Sequence, residues 1–170
     1  MKLPDTIPSV KDVQIMNVRG PWDTKSQGKL MAVYAMPYAV VQSRYLDYDS
    51  EELHKISSDV RGLRIYTVRD LPAGKIGGIE WHRIREEIVF VLDGSFQWEC
   101  EDFQGGKRQF TLDSRSGLWI PPFILHTYKA RESGSGLFVL ANTLFVPEDS
   151  TTHDTYSAEE FCELRNKRVS

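Results

Sequence analysis

The chain has 170 residues, which is about one domain on a prior of ~150 residues per domain and excludes a multidomain machine. Lys plus Arg total 21 against 24 Asp plus Glu, a net charge of -3 that lacks the basic face nucleic acid selects. Apolar residues at 41% and charged residues at 26% match an ordinary globular chain rather than a disordered one. No apolar run reaches the ~18 residues of a membrane span, and Met1-Lys2-Leu3-Pro4-Asp5 lacks the basic start and apolar stretch of a secretory leader, so a cytoplasmic location is expected. Cys100 and Cys162 belong to no CxxC or Cys/His cluster and are expected as reduced structural thiols.

In chain order, residues 13–18 and 29–34 each read as a strand. Residues 38–62 hold three tyrosines and the acidic run Asp47-Tyr48-Asp49-Ser50-Glu51-Glu52; the stretch is either a lid or dimer-contact insertion, or a solvated loop. Short β-branched and aromatic runs then follow at 63–69, 76–83, 88–92, 95–101, 107–112, 118–120, 126–130 and 137–144, broken by Gly, Pro and Asp as in an all-β sandwich or barrel. Ile88-Val89-Phe90-Val91-Leu92 is apolar at every position and suits a strand packed on both faces, whereas Phe96, Trp98 and Cys100 share one face with Gln97 and Glu99 on the other. Asp93-Gly94 is the strongest hairpin signal, and Gly105-Gly106 the next. Ser157-Ala158-Glu159-Glu160 is a capping box that opens a short C-terminal helix. The chain thus divides into an N-terminal arm with insertion (1–62), a barrel (63–156) and a helix or tail (157–170).

Two of the four histidines fall at informative positions. Glu80 and His82 are two apart on one strand, so their side chains share a face, with backbones roughly 6 to 7 Å apart. Four residues separate His82 from Glu87 and six more separate Glu87 from Gly94, giving Glu-x-His-x4-Glu-x6-Gly; further on stand Gly117, Pro121 and His126. Neutral imidazoles and carboxylates are a suitable shell for Fe, Mn, Ni, Co or Zn. Of Glu86 and Glu87, one must point outward, and the sequence leaves open which. Carboxylates facing a barrel interior carry a heavy penalty unless they are paired, metal-bound or catalytic. Trp81, Trp98, Trp119, Phe90, Phe96, Phe110, Phe123 and Tyr128 supply aromatic surface, either as plain core or as stacking faces for a base or sugar ring.

The two histidine patterns resemble the two signatures of the cupin barrels, with Glu80 in place of the usual first His and Phe123 where that family prefers Gly. The resemblance implies a jelly-roll β-barrel whose first-motif and second-motif ligands meet inside. Gly28-Lys29-Leu30, Pro37-Tyr38, Leu63-Arg64-Ile65-Tyr66, Gly78-Ile79-Glu80-Trp81-His82, Val91-Leu92-Asp93-Gly94-Ser95, Gly117-Leu118-Trp119-Ile120-Pro121-Pro122 and Leu125-His126 are similar to the FdtA/WxcM-like family. That family contains dTDP-4-keto-6-deoxyglucose 3,4-ketoisomerases, homodimeric cupins of sugar-nucleotide metabolism not known as metal enzymes. Where they carry Arg-Gly-x-His-Ala-His, this chain has Gly77-Gly78-Ile79-Glu80-Trp81-His82, and Glu87 stands at the family's glutamine. Arg64, Tyr66, His82 and His126 match residue by residue.

Three functional readings follow. In the first, the barrel holds an enzyme for a carbonyl-bearing or sugar-like molecule, performing metal-assisted isomerase, lyase or oxygenase chemistry, with Glu80, His82, Glu87 and His126 as a divalent-metal shell or an acid/base set. In the second, a metal-independent ketoisomerase or epimerase uses His82, Glu80, Tyr66 and His126 for proton transfer, with Arg64, Trp98, Trp119 and Tyr128 against the substrate. In the third, the barrel is a non-catalytic ligand binder. A small-molecule substrate and a second copy of the chain are the expected partners; nucleic acid and membrane are not.

Overall fold

The computed structural model describes Leu3, residues 6–32 and residues 60–169. Most of the 38–62 stretch read as a lid or loop therefore lies outside the described residues, as do Pro37 and Tyr38. Twelve strands are described: β1 (Gln14–Asn17), β2 (Arg19–Asp23), β3 (Lys29–Ala32), β4 (Arg61–Leu71), β5 (Ile76–Trp81), β6 (Glu87–Asp93), β7 (Phe96–Glu101), β8 (Lys107–Leu112), β9 (Ser116–Ile120), β10 (Leu125–Ala130), β11 (Ser135–Thr143) and β12 (Tyr156–Ser157). One helix, α1 (Ala158–Val169), follows. Ser157 and Glu160 close the expected capping box, the Ser157 amide donating to the Glu160 carboxylate at 2.8 Å and the Glu160 amide to the Ser157 hydroxyl at 3.3 Å.

The strands form two five-stranded antiparallel sheets in the orders β1-β9-β6-β11-β4 and β12-β5-β10-β7-β8, with β2 and β3 paired only to each other. From β4 to β11 every connection except β7 to β8 crosses between the two sheets, which is the winding of a jelly roll. The expected all-β jelly-roll barrel with a short C-terminal helix is the fold observed. The expected arm–barrel boundary at 62/63 falls inside β4, and β1 from the arm pairs with β9.

One turn differs from expectation. Asp93-Gly94 joins no hairpin, because β6 pairs with β9 and β11 while β7 pairs with β8 and β10. A type I′ hairpin needs positive φ at both central residues, and here only Gly94 has it, at 74°. The pair instead turns the chain from one sheet to the other, with a Cβ on Gly94 driven into Ser135 at the start of β11. The β7–β8 hairpin is real, and a five-residue loop closed by the Asp102 amide to the Gly106 carbonyl at 3.0 Å replaces the two-residue turn.

Alternation places the core as the sequence implies. Val89, Val91, Phe96, Trp98, Leu118 and Leu137 fill the space between the sheets, and Ile88 and Phe90 pack on the opposite face of β6 with Trp119, Phe138 and Leu140. A third cluster seats α1 on β5 through Trp81, Phe103, Phe123, Phe161 and Leu164. Phe123 adopts the left-handed φ of 63° that the cupin pattern assigns to Gly. That conformation costs roughly 1–2 kcal/mol in a residue with a Cβ, and ring burial against Trp81 at 6.0 Å offsets it. Cys100 is buried and Cys162 exposed, both as free thiols; burial pushes the Cys100 thiol up to about 12.

Gly94 and Gly105 separate backbone strain from packing, because both are left-handed and only Gly94 has neighbours where a Cβ would stand. Gly105→Ala is expected to cost ~1–2 kcal/mol, the left-handed penalty alone. Gly94→Ala adds an overpacking penalty of about 1–3 kcal/mol. Urea unfolding of the two variants checks the order; equal losses would show that Ser135 yields freely.

Candidate active site

The segment joining β5 to β6 is irregular, and one buried side chain holds it. The Asp154 carboxylate accepts the backbone N–H groups of Arg83, Ile84 and Arg85 at 2.9, 2.9 and 2.8 Å, and the Asp154 carbonyl meets His82 Nδ1 at 2.5 Å. Asn142 adds a bond from the Glu86 amide to its Oδ1 at 2.9 Å, and the His82 carbonyl accepts the Phe123 amide at 2.7 Å. With its backbone so fixed, the segment carries His82, Arg85 and Glu87 into the interior, all at most 4% exposed. Glu86 is the outward member of its pair, its carboxylate accepting Trp119 Nε1 at 3.1 Å.

Glu80 reaches the same point from β5. A bulge there makes Ile79 the extra residue between the Gly78–Thr127 and Glu80–His126 pairs, and Gly78 and Ile79 both take positive φ. Past the bulge Glu80 lies directly across from His126. The ligating atoms of Glu80, His82 and His126 fall within 4.8 Å of one another, and the two imidazole rings are 5.3 Å apart. Glu87 bridges them, with Oε1 3.6 Å from His82 Nε2 and Oε2 3.7 Å from His126 Nε2.

Both histidines face a backbone carbonyl with Nδ1, that of Asp154 for His82 and that of Ile124 at 3.1 Å for His126. A carbonyl only accepts, so Nδ1 carries a proton in both rings, and in a neutral ring the lone pair is then on Nε2. Burial first, then the positive charge of Arg85 and the neighbouring His126, hold the His82 pKa well below 6.5. Tyr66 donates to Glu87 Oε1 at 3.0 Å; burial first and the Glu87 charge second raise its pKa, so it stays a phenol. The Arg64 guanidinium lies 4.8 Å from the Tyr66 ring centre and 5.4 Å from that of Phe145. Trp98 stacks on His126 at 6.2 Å, and Tyr128 packs on Trp98 at 5.2 Å. Across from Tyr128 stands Gly77, where any Cβ would collide with the phenol ring and hydroxyl.

Of the residues singled out from the sequence, Glu80, His82, Glu87, His126, Tyr66, Arg64, Trp98 and Tyr128 thus meet or flank one cluster. Trp119 does not join them: it sits on the outer face of β9 with Ile88 and Phe90, because the alternation that turns Leu118 and Ile120 inward turns Trp119 out. Arg85 and Asp154 are site residues that period-2 reasoning misses, since Arg85 lies in an irregular connection and Asp154 arrives from 69 residues further on. Glu80, His82 and His126 fit a divalent transition metal as a two-histidine, one-carboxylate set.

An antiparallel jelly roll with inward histidines and carboxylates from β5, β10 and the β5–β6 connection defines a cupin-like barrel. Residues 48–163 match the FdtA family, described as WxcM-like, C-terminal, and the chain belongs to that family. No curated protein matches the chain. Among solved structures, the chain is similar to QdtA, a sugar 3,4-ketoisomerase from Thermoanaerobacterium thermosaccharolyticum in complex with TDP, at 15% identity and TM-score 0.63 over 95% of this chain and 99% of that one. WlaRA, a TDP-fucose-3,4-ketoisomerase from Campylobacter jejuni, is 20% identical with TM-score 0.61 over 94% of this chain and 99% of its own. The dTDP-4-dehydrorhamnose 3,5-epimerase of Bacillus anthracis, solved with TDP and PPi, is 11% identical with TM-score 0.60 over 86% of this chain and 78% of its own.

Two expected outcomes follow from the geometry. Asp154→Ala leaves three amides without their acceptor, and at about 1–3 kcal/mol for each buried unsatisfied group it should destabilise the fold by at least ~3 kcal/mol in urea unfolding; a loss under ~1 kcal/mol would mean the β5–β6 connection is held elsewhere. His82 is neutral in the folded state with a pKa below the 6.5 of the unfolded chain. Falling pH therefore protonates the unfolded chain first: the His82 contribution is intact above 6.5 and is lost as pH drops from there toward the folded value. A pH series of unfolding free energies should show this acid slope weakened in His82→Gln.

Proposed function

We propose that the chain is a sugar-nucleotide isomerase that moves a proton beside the carbonyl of a keto sugar carried on a nucleoside diphosphate. The observation that carries the reading is a buried, neutral His82 whose Nε2 lone pair faces the cluster among carboxylates. Membership of the FdtA family supports it, as do similar folds solved with TDP and, for a QdtA mutant, with TDP-4-keto-6-deoxyglucose. His82 takes the proton from the carbon next to the carbonyl, and that C–H pair becomes a C=C bond as the carbonyl oxygen gains the charge. A hydroxyl proton then passes between the neighbouring oxygens, and the proton that His82 carries is delivered to the former carbonyl carbon, which restores the neutral imidazole. The product is an isomer, so no oxidant is needed. Tyr66 holds Glu87 in place, and Arg64, Trp98 and Tyr128 supply the polar and aromatic surface for the nucleotide-linked sugar.

A second reading rests on the Glu80, His82 and His126 set, which fits an Fe, Mn, Ni, Co or Zn ion; an ion there would polarise a carbonyl oxygen. The charge inventory favours the first reading. Arg85 already pairs with Glu87 at 3.7 Å, and its guanidinium lies 3.5 Å from the His82 Nε2 that would ligate the metal. We also propose a homodimer: β2 and β3 form an isolated two-stranded sheet with Trp22, Leu30 and Met31 exposed, and such a ribbon is marginal unless another surface covers it.

Incubating the protein with TDP-4-keto-6-deoxyglucose in D2O tests the function. Deuterium should enter the sugar next to its carbonyl, read by NMR, and His82→Asn should slow entry by ~10²–10⁴-fold. Turnover that survives exhaustive chelation and metal analysis supports proton transfer by side chains alone; turnover lost on chelation and restored by one divalent ion replaces it with the metal reading. Light scattering should give twice the 19.5 kDa chain mass.

A further inference from the structure

Arg85 is a residue of the cluster with unspent hydrogen-bonding capacity. It is 4% exposed and held from several sides: its backbone amide by Asp154, its Nε by Thr143 Oγ1 at 3.1 Å, and its Nη1 by Glu87 Oε1 at 3.7 Å and His82 Nε2 at 3.5 Å. Its remaining nitrogen, Nη2, is buried with no hydrogen-bond partner among the described residues. An orphaned buried donor costs about 1–3 kcal/mol, more when charged, and a side chain with so many anchors cannot swing away to relieve it. Such a group is completed by an acceptor arriving from outside. The same guanidinium brings Nη1 to 3.5 Å from His82 Nε2, which accepts from it, so the free donor Nη2 belongs to the group that borders the proposed base.

A base and a fixed cationic donor at adjacent positions are the two elements of enolisation: one removes the proton, the other receives the charge on oxygen. We propose that Arg85 is a catalytic residue whose Nη2 donates to the substrate's carbonyl oxygen and stabilises the enolate formed when His82 takes the adjacent proton. The assignment rests on the isomerase reading of the same site and adds its electrophile. As the C–H pair forms the C=C bond, the carbonyl π pair moves to the oxygen to which Nη2 donates; that oxygen then takes the neighbouring hydroxyl's proton, the charge left on the neighbouring oxygen closes the new C=O as the former carbonyl carbon is protonated, and the guanidinium is unchanged. No proton leaves Arg85, in keeping with a guanidinium that stays charged. Arg64 lies at the same cluster with its Nε also buried and without a partner among the described residues, so it remains available to bind the substrate while Arg85 acts on the reacting oxygen.

The test uses the whole protein with TDP-4-keto-6-deoxyglucose in D2O. Arg85→Met and Arg85→Ala should lower the rate of deuterium entry by ~10²–10³-fold, the usual cost of losing one oxyanion donor, with TDP affinity by calorimetry within a few-fold of the parent. Millimolar guanidinium should restore part of the Arg85→Ala rate and none of the His82→Asn rate, a rescue that a merely structural role would not give. An Arg85→Met protein that folds and exchanges at the parent rate overturns the assignment while leaving the isomerase reading intact. Loss of TDP binding in step with rate, without guanidinium rescue, overturns it in favour of a binding role. If the Arg85 variants do not fold, Thr143→Val, which removes only the Nε tether, should reduce the rate more than the TDP affinity; equal losses count against the assignment. A parent protein that exchanges no deuterium into any nucleotide-linked keto sugar overturns the isomerase reading and this assignment together.

Discussion

The cluster depends on a buried carboxylate that performs no chemistry. Asp154 takes three consecutive amides on its side chain and His82 Nδ1 on its backbone carbonyl, so one residue fixes the path of the β5–β6 connection, the tautomer of His82 and the direction of Arg85. Three charge-assisted bonds to main-chain donors, each worth about 1.5–3 kcal/mol, are enough to keep a carboxylate in a fully buried position. The arrangement is long-range in sequence and local in space: 70 residues separate Asp154 from Ile84. Seating α1 on β5 through Trp81 and Phe161 keeps the chain just after Asp154 in place, and the Trp81 Nε1 bond to the Ser157 carbonyl at 3.1 Å ties the two together.

The winding of the jelly roll explains why residues from distant strands converge. Because nearly every connection between β4 and β11 changes sheets, neighbours in sequence face each other across the core rather than lying side by side. Tyr66 on β4 and Glu87 on β6 belong to one sheet, while Glu80 on β5 and His126 on β10 belong to the other, and all four point into the space between. The Gly78–Ile79 bulge sets the register at the end of β5. Were Ile79 paired in a regular ladder instead, period-2 alternation would carry Glu80 to the opposite face and bring Trp81 inward in its place.

Strand existence was legible in the chain because β-branched and aromatic runs bounded by Gly, Pro and Asp are local facts. Residues 107–112 coincide with β8, and the two-faced 88–92 run packs on both sides as β6. Glu80 and His126 lie on strands as read, whereas His82, expected on the same strand as Glu80, falls just past the end of β5 and reaches the same cluster from the irregular connection. What could not be read was which strand neighbours which: Asp93-Gly94 has the composition of a hairpin, yet it spans the sheets, and the difference lies in Ser135, more than 40 residues downstream, which packs against Gly94. From sequence Trp119 reads as a pocket aromatic because aromatics mark both cores and ligand surfaces, and only the pairing of β9 with β6 assigns its face. Arg85 escaped because an irregular connection has no period from which to infer a direction.

That omission changes the electrostatics of the site. A charge inventory drawn from strand positions counts Glu80 and Glu87 around His82 and leads to an imidazole pulled between burial and two attracting carboxylates. With Arg85 and Arg64 added, the cluster holds two carboxylates and two guanidiniums, and the influences on His82 point the other way: burial, Arg85 and His126 all favour the neutral ring. Arg85 makes the Glu87 carboxylate tolerable at 4% exposure by pairing it, together with the Tyr66 phenol. A neutral imidazole with a defined tautomer, beside a fixed cationic donor, has its proton-accepting nitrogen ready at neutral pH without any further charge being brought in. In the proposed isomerisation, the base strength that burial removes from His82 would be compensated at the substrate oxygen, since a cation lowers the energy of an enolate as surely as it depresses the imidazolium.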